Sequence, residues 1–334
     1  MSNPVVVEVT RGPRVESRHR GAGAVVDADG EIVFSFGDAD WPVFPRSAVK
    51  AFQCLPLIES GAADKVGLTD AEIALACSSH GGEPGHAAGA AAMLSKVGLD
   101  VAALECGAHW PSVEAAARGL AREGREPSAL HNNCSGKHAG FVCLACAAGQ
   151  DPRGYVTAAH PVQKAVKAAL EEMTGASLGE DVCGTDGCSI PTYAIPLRRL
   201  AQGFARFGCG EGLGPLRREA AERIRHAVAA HPWMVGGTGK FDTDVMELLG
   251  GRAFVKTGAE GVYCAALPEA GLGIAVKVDD GGTRASQVAM ASLLARFCPM
   301  PDGMRGDLQV RASPVLRNWN AIEVGRIVPA GPLA

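Results

Sequence analysis

Strand-like segments at both ends of the chain enclose a long helical stretch, and this order constrains the fold more than any other feature. Residues 5–11 read VVVEVTR, and residues 22–37 contain two apolar runs joined at Asp29-Gly30, which is a hairpin turn signal. Residues 252–281 contain three further apolar runs with glycine-bearing turns. Because short connections of this kind are typical of antiparallel pairing, we expect the two ends of the chain to form one antiparallel sheet.

The middle of the chain carries helical spacing and strong helix formers. The predicted helices lie near residues 47–60, 70–77, 85–97, 112–123, 136–148, 160–174, 194–207, 213–230 and 284–298. The simplest assembly is an α/β fold, in which an antiparallel sheet from the N- and C-terminal strands packs with helices and a helical region is inserted between them. We expect one catalytic domain over residues 1–334. Its sheet-forming parts are residues 1–45 and 250–334, and its helix-rich region is residues 46–249.

The composition describes a globular protein without a strongly charged surface. The 334 residues are 47% hydrophobic and 20% charged, and the formal net charge is −4. This balance gives no attraction to nucleic acid or to an anionic membrane, and no apolar run is long enough to span a bilayer. The first residues lack the pattern of a signal peptide. Eleven cysteines, an odd number, suit a reducing compartment better than a disulfide scaffold. We therefore expect a cytoplasmic protein.

One short motif, FPRSAVK at residues 44–50, places Ser47 three residues before Lys50. On a helix these two positions lie on the same face, and a neutral lysine amine can take the proton of a serine that acts as a nucleophile. A serine that caps a helix, followed by a surface lysine, explains the same residues. The motif alone therefore leaves catalysis and helix capping open.

A second lysine, Lys256, stands in the sequence Lys256-Thr257-Gly258 at the end of a predicted strand. The glycine would let a substrate approach the backbone. Serine β-lactamases and penicillin-binding proteins combine an SxxK motif, an SxN element and KTG. This chain has no clear SxN element between its SxxK and KTG motifs, so the match to those enzymes is partial.

A third segment, residues 74–86, presents Ser78, Ser79 and His80 between an apolar run and a glycine pair. Side chains and backbone N–H groups at the end of an element suit a second catalytic hydroxyl or an oxyanion site. A polar loop that caps the next helix is the alternative.

Two further segments bring cysteines close to other metal-binding side chains. Cys134, Lys137 and His138 lie in HNNCSGKHAGF. Cys188 follows Asp186 in CGTDGCSIPTY. Two thiolates and one more ligand would suit zinc. The third ligand could be His138, Asp186 or Lys137, the last only as a neutral amine. A reactive Cys134 near a helix N-terminus and buried thiols in tight turns are the alternatives.

A glycine-rich segment, HPWMVGGTGKFDTDVM at residues 231–246, surrounds Lys240. It lacks the residue order of a phosphate-binding P-loop. We expect a flexible loop that borders the site.

Together these segments resemble the Rhizobium-type L-asparaginases, the asparaginase II family. The resemblance runs from about residue 5 to residue 300 and is carried by PRSAVKAFQ, CSSHGGE, HNNCSGKHAGF, GTDGCSIPTYAIP, HPWMVGGTGKFDT and VKTGAEGVY. It implies a fold similar to serine β-lactamases and glutaminases, hydrolysis of L-asparagine to L-aspartate and ammonia, and a homodimer.

The resemblance also implies two catalytic Ser–Lys tandems, Ser47 with Lys50 and Ser79 with Lys256. Either Ser47 or Ser79 could form the acyl-enzyme, and this choice stays open. A β-lactamase-like or glutaminase-like serine amidohydrolase is one alternative function. A non-catalytic zinc- or thiol-binding protein is the other.

The cofactor that the resemblance implies is Zn²⁺, bound by Cys134, Lys137 and Cys188. His138 then becomes a neighbour of the metal site. The expected substrate-binding residues are Arg46, His80 and Asp186.

Overall fold

The structure is a computed structural model that describes residues 2–334, and these residues form two compact units. The sheet unit comprises the chain up to Ala48 together with Ala194–Gly212 and Gly251–Ala334. The helical unit comprises Val49–Tyr193 and Leu213–Gly250. Within the described part of the chain, no helix is both long and apolar enough to cross a membrane.

Most of the strands belong to one antiparallel sheet in the sheet unit. In chain order the strands are β1 (Val5–Arg11), β2 (Arg14–Asp27), β3 (Ile32–Phe36), β4 (Pro42–Val43), β5 (Cys183–Thr185), β6 (Pro191–Tyr193), β7 (Ile195–Pro196), β8 (Phe254–Thr257), β9 (Val262–Leu267), β10 (Leu272–Val278), β11 (Val315–Arg317) and β12 (Glu323–Pro329). The sheet has the spatial order β11, β12, β1, β2, β10, β9 and β8, with β3 also paired to β2. Every pair in it is antiparallel. This confirms the predicted sheet from the N- and C-terminal strands.

The long strand β2 joins the two ends of the chain. Its first half pairs with β1, and its second half pairs with β10, as at Gly23 opposite Val276. The hairpin from β2 to β3 turns at the predicted Asp29-Gly30 position, where Gly30 has a φ of +98° that favours glycine. The sequence signals for strands and turns therefore identify the central part of the sheet correctly.

The helices include all nine that the periodicity predicts. In chain order they are α1 (Lys50–Glu59), α2 (Ala62–Val66), α3 (Asp70–Ala76), α4 (Pro84–Ser95), α5 (Glu114–Arg122), α6 (Ser135–Ala147), α7 (Pro161–Thr174), α8 (Leu197–Cys209), α9 (Pro215–Ala230), α10 (Pro232–Val235), α11 (Phe241–Leu249), α12 (Thr283–Phe297) and α13 (Asp302–Ala312). Helices α2, α10, α11 and α13 and strands β11 and β12 have no counterpart among the predicted elements.

The glycine-rich segment at residues 231–246 is a correction to the sequence analysis. It was expected to be a flexible loop, but it forms α10 and the start of α11, with only residues 236–240 between them. Pro232 suits the first position of α10, and Asp242 and Asp244 suit the positive N-terminus of α11.

Helix α8 packs against strands β2, β9 and β10 of the sheet. Nine of its 13 residues are buried, including the unbroken run 200–205, so the helix lies deep within the sheet unit. A Cβ added at Gly273 of β10 would lie only 1.9 Å from the carbonyl oxygen of Ala201. Glycine at this position therefore lets α8 lie directly on the strand.

Helix α6 lies at the centre of the helical unit, where α1, α2, α3, α4 and α7 all contact it. A Cβ added at Gly136 in its first turn would lie 2.3 Å from the carbonyl oxygen of Leu75 in α3. Glycine therefore permits the close crossing of α6 over the end of α3. This crossing brings the segment around Cys134 and Lys137 next to the loop that carries Ser79.

Candidate active site

A buried lysine connects two loops of the helical unit. Helix α1 begins at Lys50, directly after a 3₁₀ helix at Arg46–Val49, and the side chain of Lys50 is 1% exposed. Its Nζ donates hydrogen bonds to Ser79 Oγ at 2.9 Å, to the Ser78 carbonyl oxygen at 2.5 Å and to the Asn133 carbonyl oxygen at 3.4 Å. The structure therefore brings Lys50 and Ser79 together within the helical unit.

The loop that carries Ser79 connects α3 to α4. Its start continues the turn of α3, because the backbone N–H of Ser78 donates to the carbonyl oxygen of Leu75. The backbone N–H of Ser79 donates to the carbonyl oxygen of Val235 at the end of α10, at 2.9 Å. Ser79 itself is half-buried, so its hydroxyl combines a fixed position with access for a substrate.

The predicted metal ligands also lie together. Lys137 Nζ donates to Cys188 Sγ at 3.0 Å, and the thiols of Cys134 and Cys188 are hydrogen-bonded to each other. All three side chains are buried. The hydrogen bond from Cys188, together with the charges of Lys50 and Lys137, holds the pKa of Cys134 well below its ordinary value, although burial opposes this shift. The pKa of Cys188 is raised, first by its hydrogen bond to Cys134 and then by burial.

The charge of Lys137 is retained by these thiols. Burial disfavours the ammonium ion, but the charges of Cys134 and Cys188 and the hydrogen bond to Cys188 raise the pKa of Lys137 above its ordinary value. The carboxylate of Asp186 adds to this effect. The two thiols and the ammonium group of Lys137 therefore stabilise one another electrostatically.

This donor set fits zinc on chemical grounds. Sulfur is a preferred zinc ligand, and two sulfur atoms and one nitrogen would leave a fourth position open. Among residues 2–334, no three His, Cys, Asp or Glu side chains are grouped so as to hold a metal ion. A site here therefore needs Lys137 as its third ligand, and Lys137 would have to give up its proton to bind the metal.

The ring of His138 is hydrogen-bonded to a tyrosine. Its Nδ1 forms a hydrogen bond of 2.6 Å with the hydroxyl of Tyr155, and its Nε2 has no hydrogen-bond partner. Asp186 lies in the turn between β5 and β6, where its Oδ1 accepts a hydrogen bond from the backbone N–H of Gly187 at 2.6 Å.

The sheet unit contains three of the predicted site residues, Arg46, Ser47 and Lys256. Arg46 has a φ of +51°, which is a strained backbone conformation for a residue with a side chain, and the half-buried Ser47 follows it. Lys256 lies on β8 and is fully buried. A Cβ added at Gly258 would lie 2.6 Å from the carbonyl oxygen of Pro45. The glycine of the KTG motif therefore lets the end of β8 lie directly against the start of the PRSAVK segment.

His80, expected to bind substrate, is 1% exposed, and both its ring nitrogens are hydrogen-bonded within the protein. Its Nε2 lies 2.9 Å from Ser135 Oγ, and its Nδ1 accepts a hydrogen bond from the backbone N–H of Gly82 at 3.1 Å. Sequence reasoning did not identify Asn133, Ser135 or the carbonyl of Val235 as parts of the site. Asn133 and Ser135 lie within the quoted HNNCSGKHAGF motif, but backbone acceptors and supporting hydroxyls leave no spacing signal.

The chain is an amidohydrolase of the asparaginase kind, because one family model matches residues 7–329, nearly its whole length. That model describes L-asparaginase II, and the chain belongs to this family. No protein of curated function matches the chain.

Solved structures match it with low sequence identity. One is described as Mglu in its native form (15% identity, 80% of this chain, 61% of that chain, TM-score 0.43). Another is a β-lactamase from Mycobacterium bovis (15% identity, 84% of this chain, 95% of that chain, TM-score 0.40). A third is a mutant of simvastatin synthase from Aspergillus terreus (13% identity, 87% of this chain, 90% of that chain, TM-score 0.38). With TM-scores below 0.5, these matches say nothing about the substrate of this chain.

Proposed function

We propose that the protein is an L-asparaginase that hydrolyses L-asparagine to L-aspartate and ammonia through a serine acyl-enzyme. The observation that carries this proposal is the 2.9 Å hydrogen bond between Lys50 Nζ and Ser79 Oγ. Membership of the L-asparaginase II family supports a carboxamide as the group that is attacked.

The reaction needs Lys50 as a neutral amine, in which two N–H groups donate to the carbonyl oxygens of Ser78 and Asn133 and the lone pair accepts from the Ser79 hydroxyl. A serine hydroxyl attacks the carboxamide carbon of asparagine while the amine takes the hydroxyl proton. The tetrahedral intermediate collapses when the resulting ammonium ion returns this proton to the leaving nitrogen, and ammonia departs. Water then attacks the aspartyl ester with the amine again as the base, which releases L-aspartate and restores the serine.

The nucleophile is either Ser79, which contacts the lysine, or Ser47, three residues before it. Lys256 remains the predicted lysine of the second tandem.

To identify the nucleophile, Ser47 and Ser79 are each replaced by alanine, and ammonia release from asparagine is measured. The substitution of the nucleophile should lower kcat by at least about 10²-fold, and mass spectrometry of acid-quenched wild-type enzyme should find the aspartyl ester on that serine. If neither substitution has this effect, the serine mechanism is wrong.

The substrate is tested by comparing ammonia release from asparagine and from glutamine, with turnover of a chromogenic β-lactam as a third assay. Faster release from glutamine would make the enzyme a glutaminase, and β-lactam turnover without ammonia release would make it a β-lactamase-like hydrolase. Zinc binding without any turnover would leave a non-catalytic zinc or thiol protein. Arg46 and Asp186 remain predicted substrate-binding residues, and the guanidinium group of Arg46 suits a carboxylate.

Zinc and a homodimer are also part of this proposal. Cys134, Lys137 and Cys188 would hold Zn²⁺, which would supply a fixed positive charge able to orient polar groups of the substrate. Metal analysis of the purified protein, and ammonia release with and without a chelator, test the metal. Light scattering tests the dimer, which should have about twice the chain mass of 34.4 kDa.

A further inference from the structure

Three aromatic rings form a continuous stack beside the loop that carries Ser79. The ring of His80 stacks on the ring of His86, with centroids 4.7 Å apart and an interplanar angle of 7°. His86 in turn stacks on Trp233, with centroids 4.0 Å apart and an angle of 13°. His86 Nε2 also donates to the carbonyl oxygen of Trp233 at 3.0 Å. We call His80, His86 and Trp233 the ring column.

One end of the ring column is fixed to helix α6. Because His80 Nδ1 accepts a hydrogen bond from the backbone N–H of Gly82, the ring proton lies on Nε2, which donates to Ser135 Oγ. Ser135 Oγ donates in turn to the carbonyl oxygen of Leu130 at 2.9 Å. Burial lowers the pKa of His80 well below its ordinary value, and the nearby His86 adds to this effect.

A second attachment joins the same two segments at the protein surface. The side chain of Glu83 accepts hydrogen bonds from the backbone N–H of Thr238 at 2.8 Å and from Thr238 Oγ1 at 2.7 Å. Thr238 Oγ1 also accepts a hydrogen bond from the indole N–H of Trp233 at 3.0 Å. We call Glu83 and Thr238 the clasp. A Cβ added at Gly237 would lie 2.6 Å from Glu83 Oε1, so glycine there is required for the clasp to close.

Ser79 directly precedes the first of these attachments in the chain. Its own backbone N–H donates to the carbonyl oxygen of Val235, and His80 follows it immediately. The segment from Trp233 to Thr238 therefore holds the serine loop by a ring stack, a backbone hydrogen bond and a carboxylate. A displacement of about 1 Å at a reacting atom can cost about 10²-fold in rate, and the hydrogen bond from Lys50 to Ser79 Oγ depends on the position of this loop.

We propose that Trp233 is a positioning residue, which acts through the ring column and the clasp to keep Ser79 Oγ within hydrogen-bond distance of Lys50. This role accounts for the glycine-rich segment, whose conformation serves the serine loop. It also gives His80 a role. Because both ring nitrogens of His80 are hydrogen-bonded within the protein, the ring can anchor the loop that carries Ser79. The inference rests on the proposed function only for its turnover measurement.

The test compares Trp233→Leu, which removes the stack and the indole N–H, with Trp233→Phe, which keeps a stacking ring. The matched control is Trp319→Leu, because Trp319 is fully exposed at the turn between β11 and β12. Two quantities are measured: kcat and KM for ammonia release, and hydrogen exchange of the backbone amides in residues 78–83. Trp233→Leu should lower kcat by about 10- to 100-fold with KM within about threefold, and should speed exchange in residues 78–83 by at least about tenfold.

Trp233→Phe should recover kcat to within about fivefold of wild type, and Trp319→Leu should match wild type in both measurements. If Trp233→Leu proves unfolded, Thr238→Val tests the clasp alone at an exposed residue and should lower kcat about three- to tenfold while exchange in residues 78–83 rises. If folded Trp233→Leu, or Thr238→Val, exchanges the amides of residues 78–83 at the wild-type rate, the inference is overturned. Faster exchange with an unchanged kcat also overturns it, since the loop would then need no positioning. A wild-type enzyme that releases no ammonia refutes only the proposed function, and the exchange rates still decide the role of Trp233.

Discussion

Two lysines of the helical unit, Lys50 and Lys137, are both buried beside nucleophilic side chains, but their hydrogen-bond partners differ. Lys50 Nζ is hydrogen-bonded to two carbonyl oxygens and to the hydroxyl of Ser79. Lys137 Nζ donates to the thiol of Cys188, and the nearby thiols raise its pKa. Lys50 therefore lies where it can exchange a proton with a serine hydroxyl, and Lys137 lies where it can hold charge or a metal.

Cys134 is the residue at which the two groups meet. The positive charges of both Lys50 and Lys137 contribute to its lowered pKa. The serine group (Lys50 and Ser79) and the thiol group (Cys134, Lys137 and Cys188) are therefore electrostatically linked, although the lysines differ in role. Substitutions in the serine group should therefore affect turnover, and substitutions in the thiol group should affect metal affinity.

The largest effect is expected at Lys50. Lys50→Met keeps the length of the side chain and removes the amine, so kcat/KM for asparagine should fall by about 10³-fold, within the range for a positioned general base. The measurement is steady-state ammonia release. Lys65→Met is the matched control, since Lys65 is exposed and contacts only a carbonyl oxygen at the end of α6, and it should retain wild-type activity. A loss of less than about tenfold at Lys50 would contradict its role as the base.

A substitution in the thiol group should lower the affinity for Zn²⁺. Cys188→Ser removes one of two sulfur ligands, so the affinity for Zn²⁺ should fall by at least about 10²-fold, because changes outside the ligand sphere already cost 10- to 100-fold. Competition titration against a chromogenic chelator measures this. Cys183→Ser, at an exposed cysteine five positions earlier, should bind zinc like wild type. Equal affinity in both variants would show that the thiol group is structural.

The sequence predicts local elements well and the contacts between them poorly. Strands β1, β9 and β10 follow from apolar runs bounded by turn residues, and those signals lie within each segment. Strands β11 and β12 escape prediction because VLRNWNAIEVGRIVP is interrupted by polar residues. β12 pairs with β1, more than 300 residues earlier in the chain, and β11 pairs with β12. Pairing of β12 over that distance leaves no local pattern.

The candidate site shows the same division. The residue types and motifs identify Lys50, Ser79 and the thiol group, and the structure brings these together. Spacing alone pairs Ser47 with Lys50, but the hydrogen bond from Lys50 to Ser79 spans 29 positions and depends on how α3 and α6 cross. The stack of His86 on Trp233 spans 147 positions, so nothing in either segment alone indicates it.

The crossing of α3 and α6 holds the serine and thiol groups at their present separation. Gly136→Ala would place a Cβ 2.3 Å from the carbonyl oxygen of Leu75, so the helices would have to move apart. The free energy of unfolding should fall by about 2 kcal/mol, as is usual for overpacking, and kcat should fall with it. Gly119→Ala is the control, because a Cβ there in α5 meets no atom within 4 Å, and it should be neutral or up to about 1 kcal/mol more stable. Urea denaturation measures both, and equal midpoints would contradict the importance of the crossing.

The smallest expected effect is on the pH dependence of stability, through His80 and His86 beside the serine loop. Burial lowers the pKa of His80 and of His86 below the ordinary value of 6.5, so the unfolded chain takes up protons below that pH that the folded protein does not. Stability should therefore be complete above about pH 6.5 and should fall as the pH decreases, by at most about 1.4 kcal/mol per pH unit for each histidine.

His86→Phe keeps a stacking ring and removes one titrating group. The free energy of unfolding from urea denaturation, measured between about pH 5 and pH 8, should therefore fall less steeply below about pH 6.5 than in wild type, by at most about 1.4 kcal/mol per pH unit. Equal slopes in wild type and variant would mean that His86 takes up its proton alike in the folded and unfolded states. The ring column would then accommodate a positive charge beside the loop that carries Ser79.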